Sequence, residues 1–267
     1  MTASELFAAG KLHEAIAAQT ETVRDRPEQG GARLFLVELL CFSGQWSKVD
    51  RHLDLLTTQQ PEWLAGLAQF RQLLRAAEAR QQWFEAGRLP EFLSPPDPRQ
   101  QHYLRAVVCL REGDLVATRE ALEAAAEGAP LLRGRCNGEP FEQWRDLDDL
   151  GSGALEVLGA NGRYYWIFNE QIAALRCQPP RRPRDLLWRS VELETHAEGG
   201  LGTVFLPVVY PHREALDEAA LLGHTTDWRE LGEGLVQGVG QRMFLAGEHD
   251  VSIMDLETLQ LEAVHGA

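Results

Sequence analysis

Several chemistries are missing from this chain. Only two of its 26 basic residues are lysine, Lys11 and Lys48, a bias read as genome composition rather than function. The four cysteines, Cys41, Cys109, Cys136 and Cys177, form no C-x-x-C pair and match no zinc spacing. They read as reduced, buried small hydrophobes. No two of the eight histidines lie four apart and no H-E-x-x-H is present, so a zinc-hydrolase reading has no support. Gly151-Ser152-Gly153 is not a nucleophile elbow. Gly238-Val239-Gly240 lacks the third glycine and following helix of a dinucleotide site. The uncharged apolar runs, such as Val204 to Tyr210, fall far short of the roughly 20 residues of a membrane span. The N-terminus, Met1-Thr2-Ala3-Ser4-Glu5, has neither the basic patch nor the apolar core of a secretory signal, and a cytoplasmic residence is expected. The formal charge of -14 repels phosphate backbones and argues against nucleic acid as partner.

What is present is a repeat. Gly10 precedes Pro27 by 17 residues, Gly44 precedes Pro61 by 17, and Gly113 precedes Pro130 by 17; Pro27, Pro61 and Pro95 are 34 apart. A period of 34 with a turn glycine mid-unit and a terminal proline predicts tetratricopeptide-like helical hairpins over residues 1–130. Glycine suits the left-handed turn residue, and proline cannot continue a helix interior. The third unit is degenerate. Glu78 stands where glycine is expected, and residues 63–88 read as one or two longer helices with Gly87 the turn candidate. Stacked hairpins bury one another's apolar faces and leave a hollow side. In that register Leu34, Glu38, Phe42, Gln72, Tyr103, Val107 and Arg111 line the groove; the alternative for each is an ordinary core position.

After Pro130 glycine becomes dense and helical periodicity fades. Asn161-Gly162 between Ala154–Leu158 and Tyr164–Phe168 predicts a β-hairpin. Further strands are expected at 186–195, 203–209, 241–246 and 251–256, with a short helix at 217–222. Residues 131–267 therefore read as a mostly antiparallel β, or α+β, unit, and the whole chain as a multi-domain α and α+β protein. Arg145, Asp146, Asp148 and Asp149 form a charged knot, able either to hold a hard cation or to lock a loop by pairing with Arg145 or Arg184. Arg181, Arg182 and Arg184 suit an oxyanion, an acidic partner segment or internal pairing. Asp185 with Trp188, and Asp227 with Trp228, read as caps with packed anchors, or as interface tryptophans.

The chain resembles the ImpE (TagJ-type) accessory proteins of bacterial type VI secretion. The resemblance rests on Asn137-Gly138 with Phe141, Arg145-Asp146-Leu147-Asp148-Asp149, Gly162-Arg163-Tyr164-Tyr165-Trp166-Ile167, the run Pro180-Arg181-Arg182-Pro183-Arg184-Asp185-Leu186-Leu187-Trp188-Arg189, Val204-Phe205-Leu206-Pro207, Thr226-Asp227-Trp228 and Gly238-Val239-Gly240-Gln241-Arg242. Leu150-Gly151-Ser152-Gly153 and Ser190 depart from the pattern. The resemblance implies a non-enzymatic, cytoplasmic adaptor without cofactor or metal. Such an adaptor binds the N-terminal helix of the small contractile-sheath subunit and influences sheath turnover by the unfoldase ATPase. Two rivals remain at this stage. One is a small-ligand or metal-dependent enzyme using Asp146, Asp149 and Arg184 together; the other is an interdomain scaffold whose partners touch neither groove nor knot.

Overall fold

A computed structural model describes residues 1–197 and 202–263; residues 198–201 and 264–267 of the expected second unit lie outside the described residues. The front of the chain is helical: α1 (Ala3–Ala8), α2 (Leu12–Asp25), α3 (Gly30–Phe42), α4 (Trp46–Gln59), α5 (Leu64–Ala86), α6 (Pro98–Glu112) and α7 (Leu115–Ala126). The punctuation seen in the sequence has a local cause. Gly10, Gly44 and Gly113 turn the chain between α1 and α2, α3 and α4, and α6 and α7, at φ of +78°, +64° and +82°, where a Cβ is disfavoured. Asp97 caps α6 by accepting from the Gln100 N–H at 2.7 Å, with Pro98 following as the first helical residue. The degenerate unit is one 23-residue helix, α5, ended by Gly87 at φ +78°. Without a turn glycine at position 78, nothing breaks it. The array is thus three hairpins around one long helix.

The chain then builds strands β1 (Gly134–Cys136), β2 (Glu139–Phe141), β3 (Trp144–Asp146), β4 (Ala154–Gly159), β5 (Tyr164–Phe168), β6 (Ile172–Cys177), β7 (Trp188–Thr195), β8 (Gly202–Pro207), β9 (Thr226–Gly232), β10 (Leu235–Gly240), β11 (Met243–Ala246), β12 (His249–Ser252) and β13 (Thr258–Leu261), with a short α8 (Glu218–Leu221) after β8. Eight strands form an antiparallel sheet in the order β2-β1-β13-β6-β7-β8-β4-β5; β12-β11-β3 form a second sheet and β9-β10 a hairpin. The Asn161-Gly162 turn sets the β4–β5 register, Leu158 opposite Tyr164 and Ala154 opposite Phe168. The expected strand at 251–256 ends at Ser252.

The large sheet is covered on both sides. Leu155, Val157, Tyr165 and Ile167 join Trp144, Phe244 and Ile253 in a core against the three-stranded sheet. The alternate residues Ala154, Tyr164, Trp166 and Phe168 join Phe70, Trp83, Tyr103 and Val107 of the helices in a second core. All five residues of β5 are therefore buried. Past Gly87 the linker to α6 lies on the free edge of β5. Glu91 bridges Tyr165 in parallel, its N–H donating to the Tyr164 carbonyl at 2.8 Å and its carbonyl accepting from the Trp166 N–H at 3.1 Å. The change from helix to strand falls near residue 130, but the two halves share one core. Among the described residues no helix is long and apolar enough to cross a membrane.

Candidate functional site

The hollow side of the array, expected to be free, is filled by the chain's own sheet, which corrects the groove reading. Tyr103 and Val107 are buried. The Tyr103 ring lies 6.4 Å from Phe168, and a Cβ on Gly153 would stand 2.1 Å from its Cζ. Gln72 sits under the β4–β5 turn, its Oε1 2.3 Å from where a Gly162 Cβ would be. Arg111 reaches the Trp83 carbonyl at 3.5 Å and covers Gly87. Phe42 is buried with its ring 5.4 Å from Phe7, and Leu34 packs against the helical core. Glu38 is buried and faces Arg184 at 3.6 Å across the array–sheet boundary. The reason lies in β4 and β5: a sheet with two apolar faces needs cover on both, and the helices supply the second. Five consecutive apolar residues at 164–168, rather than alternation, carried that signal in the sequence.

The charged knot is also rearranged. Arg145 and Asp149 approach to 3.9 Å, and Asp149 accepts from the Val236 N–H at 2.7 Å, tying the loop after β3 to β10. Asp146 turns inward instead. It meets Arg242 at 3.1 Å and accepts from the Tyr210 hydroxyl at 2.9 Å. Arg184 belongs to the Glu38 contact, and among the described residues no ion pair or hydrogen bond joins Asp146, Asp149 and Arg184 to one another. Asp185 accepts from the N–H groups of Arg181 and Arg182 at 2.8 and 3.0 Å. Trp188 stacks on Trp46 with centroids 6.3 Å apart and meets Phe70 edge-on at 6.4 Å. Asp227 accepts from the Trp228 N–H at 2.8 Å, and Trp228 is 41% exposed with its ring 6.1 Å from Tyr210.

Glu156, Arg80 and Tyr210 were missed by the sequence reading, which named Tyr164 and Arg242 only within motif runs; together the five form the centre of a buried network. Arg80 of α5 donates to both Glu156 oxygens at 2.8 and 2.9 Å and to the Val209 carbonyl at 3.0 Å. Arg242 pairs with the same carboxylate from the other side. Tyr164 donates to Glu156 at 2.5 Å and accepts from the Trp166 indole at 2.6 Å. Burial alone would raise the Glu156 carboxyl, but the Arg80 and Arg242 guanidiniums overcome it and hold it at about 2. Asp148 is raised to about 7, first by burial and then by the Asp146 charge, against N–H donors from Gly238 and Gly151. Beside the network the free space is about 10 Å³, about one water molecule. This arrangement joins α5 to β4 and to the residue leading into β11. A glutamate inside the otherwise apolar run Ala154–Leu158 was the available clue, since a buried carboxylate demands a partner. Among the described residues no group of three or more His, Cys, Asp or Glu is placed to hold a metal ion.

Glu38 yields a pH prediction. Burial pushes its carboxyl up to about 7, with Arg184 only partly offsetting this. The folded state therefore binds a proton that the unfolded chain releases, and this contribution to stability falls as pH rises from about 4.5 to 7. Glu38→Gln is expected to gain in melting temperature relative to wild type between pH 5 and pH 8. A constant difference between the two proteins across that range would contradict the assignment.

The open space lies elsewhere. A cleft of about 170 Å³ runs between the α3–α4 turn, α5 and the chain after β8. Its walls are Phe42, Trp46, Phe84, Leu187, Trp188 and Leu221, with Arg80, Glu85 and His212 also lining it. Two of the residues singled out earlier, Phe42 and Trp188, reach it.

Fold and site together define a class: a helical-hairpin array welded to an antiparallel sheet, with a paired charge network inside and an apolar cleft at the seam. An X-ray crystal structure of a Vibrio parahaemolyticus protein has the same fold, with a TM-score of 0.90 over 97% of both chains at 24% identity. The chain is 34% identical over 264 residues to the type VI secretion system accessory component TagJ of Pseudomonas aeruginosa, covering 98% of this chain and 92% of that protein. Residues 138–260 match the family described as ImpE protein, and the chain belongs to the ImpE family.

Proposed function

We propose that the protein is an accessory component of a type VI secretion apparatus. It acts by binding rather than chemistry, and its partner is the N-terminal helix of the small contractile-sheath subunit. Through that contact it influences sheath turnover by the unfoldase ATPase. The observation that carries this reading is the 34% identity to an accessory component along 98% of the chain. The seam cleft supports a place for the helix. Its aromatic and leucine walls suit one or two apolar anchors of an amphipathic helix, and Arg80, Glu85 and His212 supply polar contacts. The groove residues buried under the sheet have no part in this version; Phe42 and Trp188 do.

The test is calorimetric titration of a peptide carrying the sheath subunit's N-terminal helix into the full-length protein. Saturable binding is expected, and Phe84→Ala is expected to weaken it roughly tenfold, equivalent to about 1.4 kcal/mol. Binding untouched by Phe84→Ala, in a variant that melts like wild type, would move the site away from the cleft. No binding at all would remove the partner.

A further inference from the structure

We propose that the arginine loop between β6 and β7 forms a pocket for the phosphate group of a small phosphate monoester. A second cavity, about 260 Å³, opens between this loop and the first half of α5. Arg181, Arg182 and Arg184 line one side of it, joined by Gln69, Gln178 and Ser190. Phe205 of β8, half-buried, adds an apolar surface beside Ser190, and the buried Phe70 and Leu73 back the cavity from α5.

The charges here are unusual for this molecule. Acidic residues outnumber basic ones by 40 to 26, yet among the described residues no carboxylate pairs with the guanidinium of Arg181 or Arg182 within 4.0 Å. Asp185 is the one acid lining the cavity. Its Oδ2 is already taken by the backbone N–H groups of Arg181 and Arg182, which fixes the turn that presents both side chains. Arg184 is held in place, its guanidinium 4.4 Å from the centre of the Phe70 ring and 3.6 Å from Glu38. Because burial raises the Glu38 carboxyl to about 7, the positive charge of Arg184 is incompletely balanced at neutral pH.

The donors select the anion. Each guanidinium offers up to five N–H groups, and the two amides and the Ser190 hydroxyl add more. A carboxylate has two oxygens to receive them; a phosphate monoester dianion has three at tetrahedral spacing, the geometry that arginine forks match. The half-buried Phe205 ring then gives the organic body an apolar surface. Inorganic phosphate shares the charge but has no organic body to lay on that ring.

The closing experiment titrates the full-length protein, in chloride buffer at neutral pH, with phenyl phosphate, inorganic phosphate and benzoate. Phenyl phosphate is expected to bind at one site with a Kd of about 1 mM or tighter, and the other two at least roughly tenfold more weakly. The double substitution Arg181→Ala/Arg182→Ala is expected to weaken phenyl phosphate binding roughly tenfold or more. It should leave the melting temperature in anion-free buffer unchanged, because both side chains are exposed. Arg119→Ala, an exposed cation on α7, should bind as wild type does. Absence of saturation up to about 10 mM, a range in which a Kd of 1 mM is about nine-tenths saturated, would overturn the site, as would equal losses in the Arg119 and Arg181/Arg182 variants. Benzoate binding as tightly as phenyl phosphate would overturn the choice of phosphate; equal binding of inorganic phosphate would overturn the ester body. These outcomes are independent of the sheath-peptide titration.

Discussion

Cut from the rest of the chain, residues 1–130 are expected to lose cooperative unfolding. In the intact protein Phe70, Trp83, Tyr103 and Val107 pack against Trp166, Phe168 and Tyr164, and Trp83 and Trp166 meet edge-to-face at 5.7 Å. Removing the sheet hands those helical side chains to water at roughly 1.5–3 kcal/mol each. Four such losses rival the whole stability of a typical domain, roughly 5–15 kcal/mol. The fragment should keep far-ultraviolet helicity, lose its near-ultraviolet signal and bind a hydrophobic dye, as compact states without fixed packing do. A sharp thermal transition with native near-ultraviolet dichroism would show instead that the array stands alone. For the same reason, partner binding is properly measured on the full chain.

The second large effect concerns Arg242, which is buried between Asp146 and Glu156. Arg242→Met removes one partner and leaves two carboxylates in a dry interior, with Arg80 compensating only Glu156. Breaking a buried pair in this way costs roughly 3–5 kcal/mol, readable as a lower urea midpoint. The pH dependence should invert locally. In the wild type Glu156, held at about 2, contributes stability above its unfolded pKa that is lost as pH falls toward 2. Without Arg242 the folded carboxyls take up protons more readily than in the wild type, so the deficit should shrink on going from pH 8 to pH 5. The double variant Arg242→Met/Glu156→Gln should recover part of the loss. A single variant with an unchanged midpoint would mean that the network is not holding the seam.

The parts legible in the sequence are those with local causes. Gly10, Gly44 and Gly113 fix three turns because each needs a left-handed residue, and Asn161-Gly162 fixes a hairpin and its register. The strands at β1, β2 and β3 escaped because each is three residues long: β1 and β2 form a short hairpin across Asn137-Gly138, and β1 and β3 also pair with the distant β13 and β11. Strand β9 escaped because it alternates around exposed charged residues. The groove was misjudged for a related reason. Periodicity identifies which face of a helix is apolar, not whether water or a sheet lies against it. The charge network joins Arg80, Asp146, Glu156 and Arg242 from four distant places in the chain; no spacing rule connects them. Only the solitary glutamate in β4 hinted that something charged must come to meet it.

The bridge from Glu91 to the outer edge of β5 has a consequence for the behaviour of the protein at high concentration. Tyr164-Tyr165-Trp166-Ile167-Phe168 is an uncharged, proline-free stretch at the end of a sheet, the kind of segment that recruits copies of itself into fibrils when its backbone is left unpaired. The linker caps that backbone at Tyr164 and Trp166 and the helices blanket one flank, so the front half of the molecule acts as a built-in chaperone for its own stickiest strand.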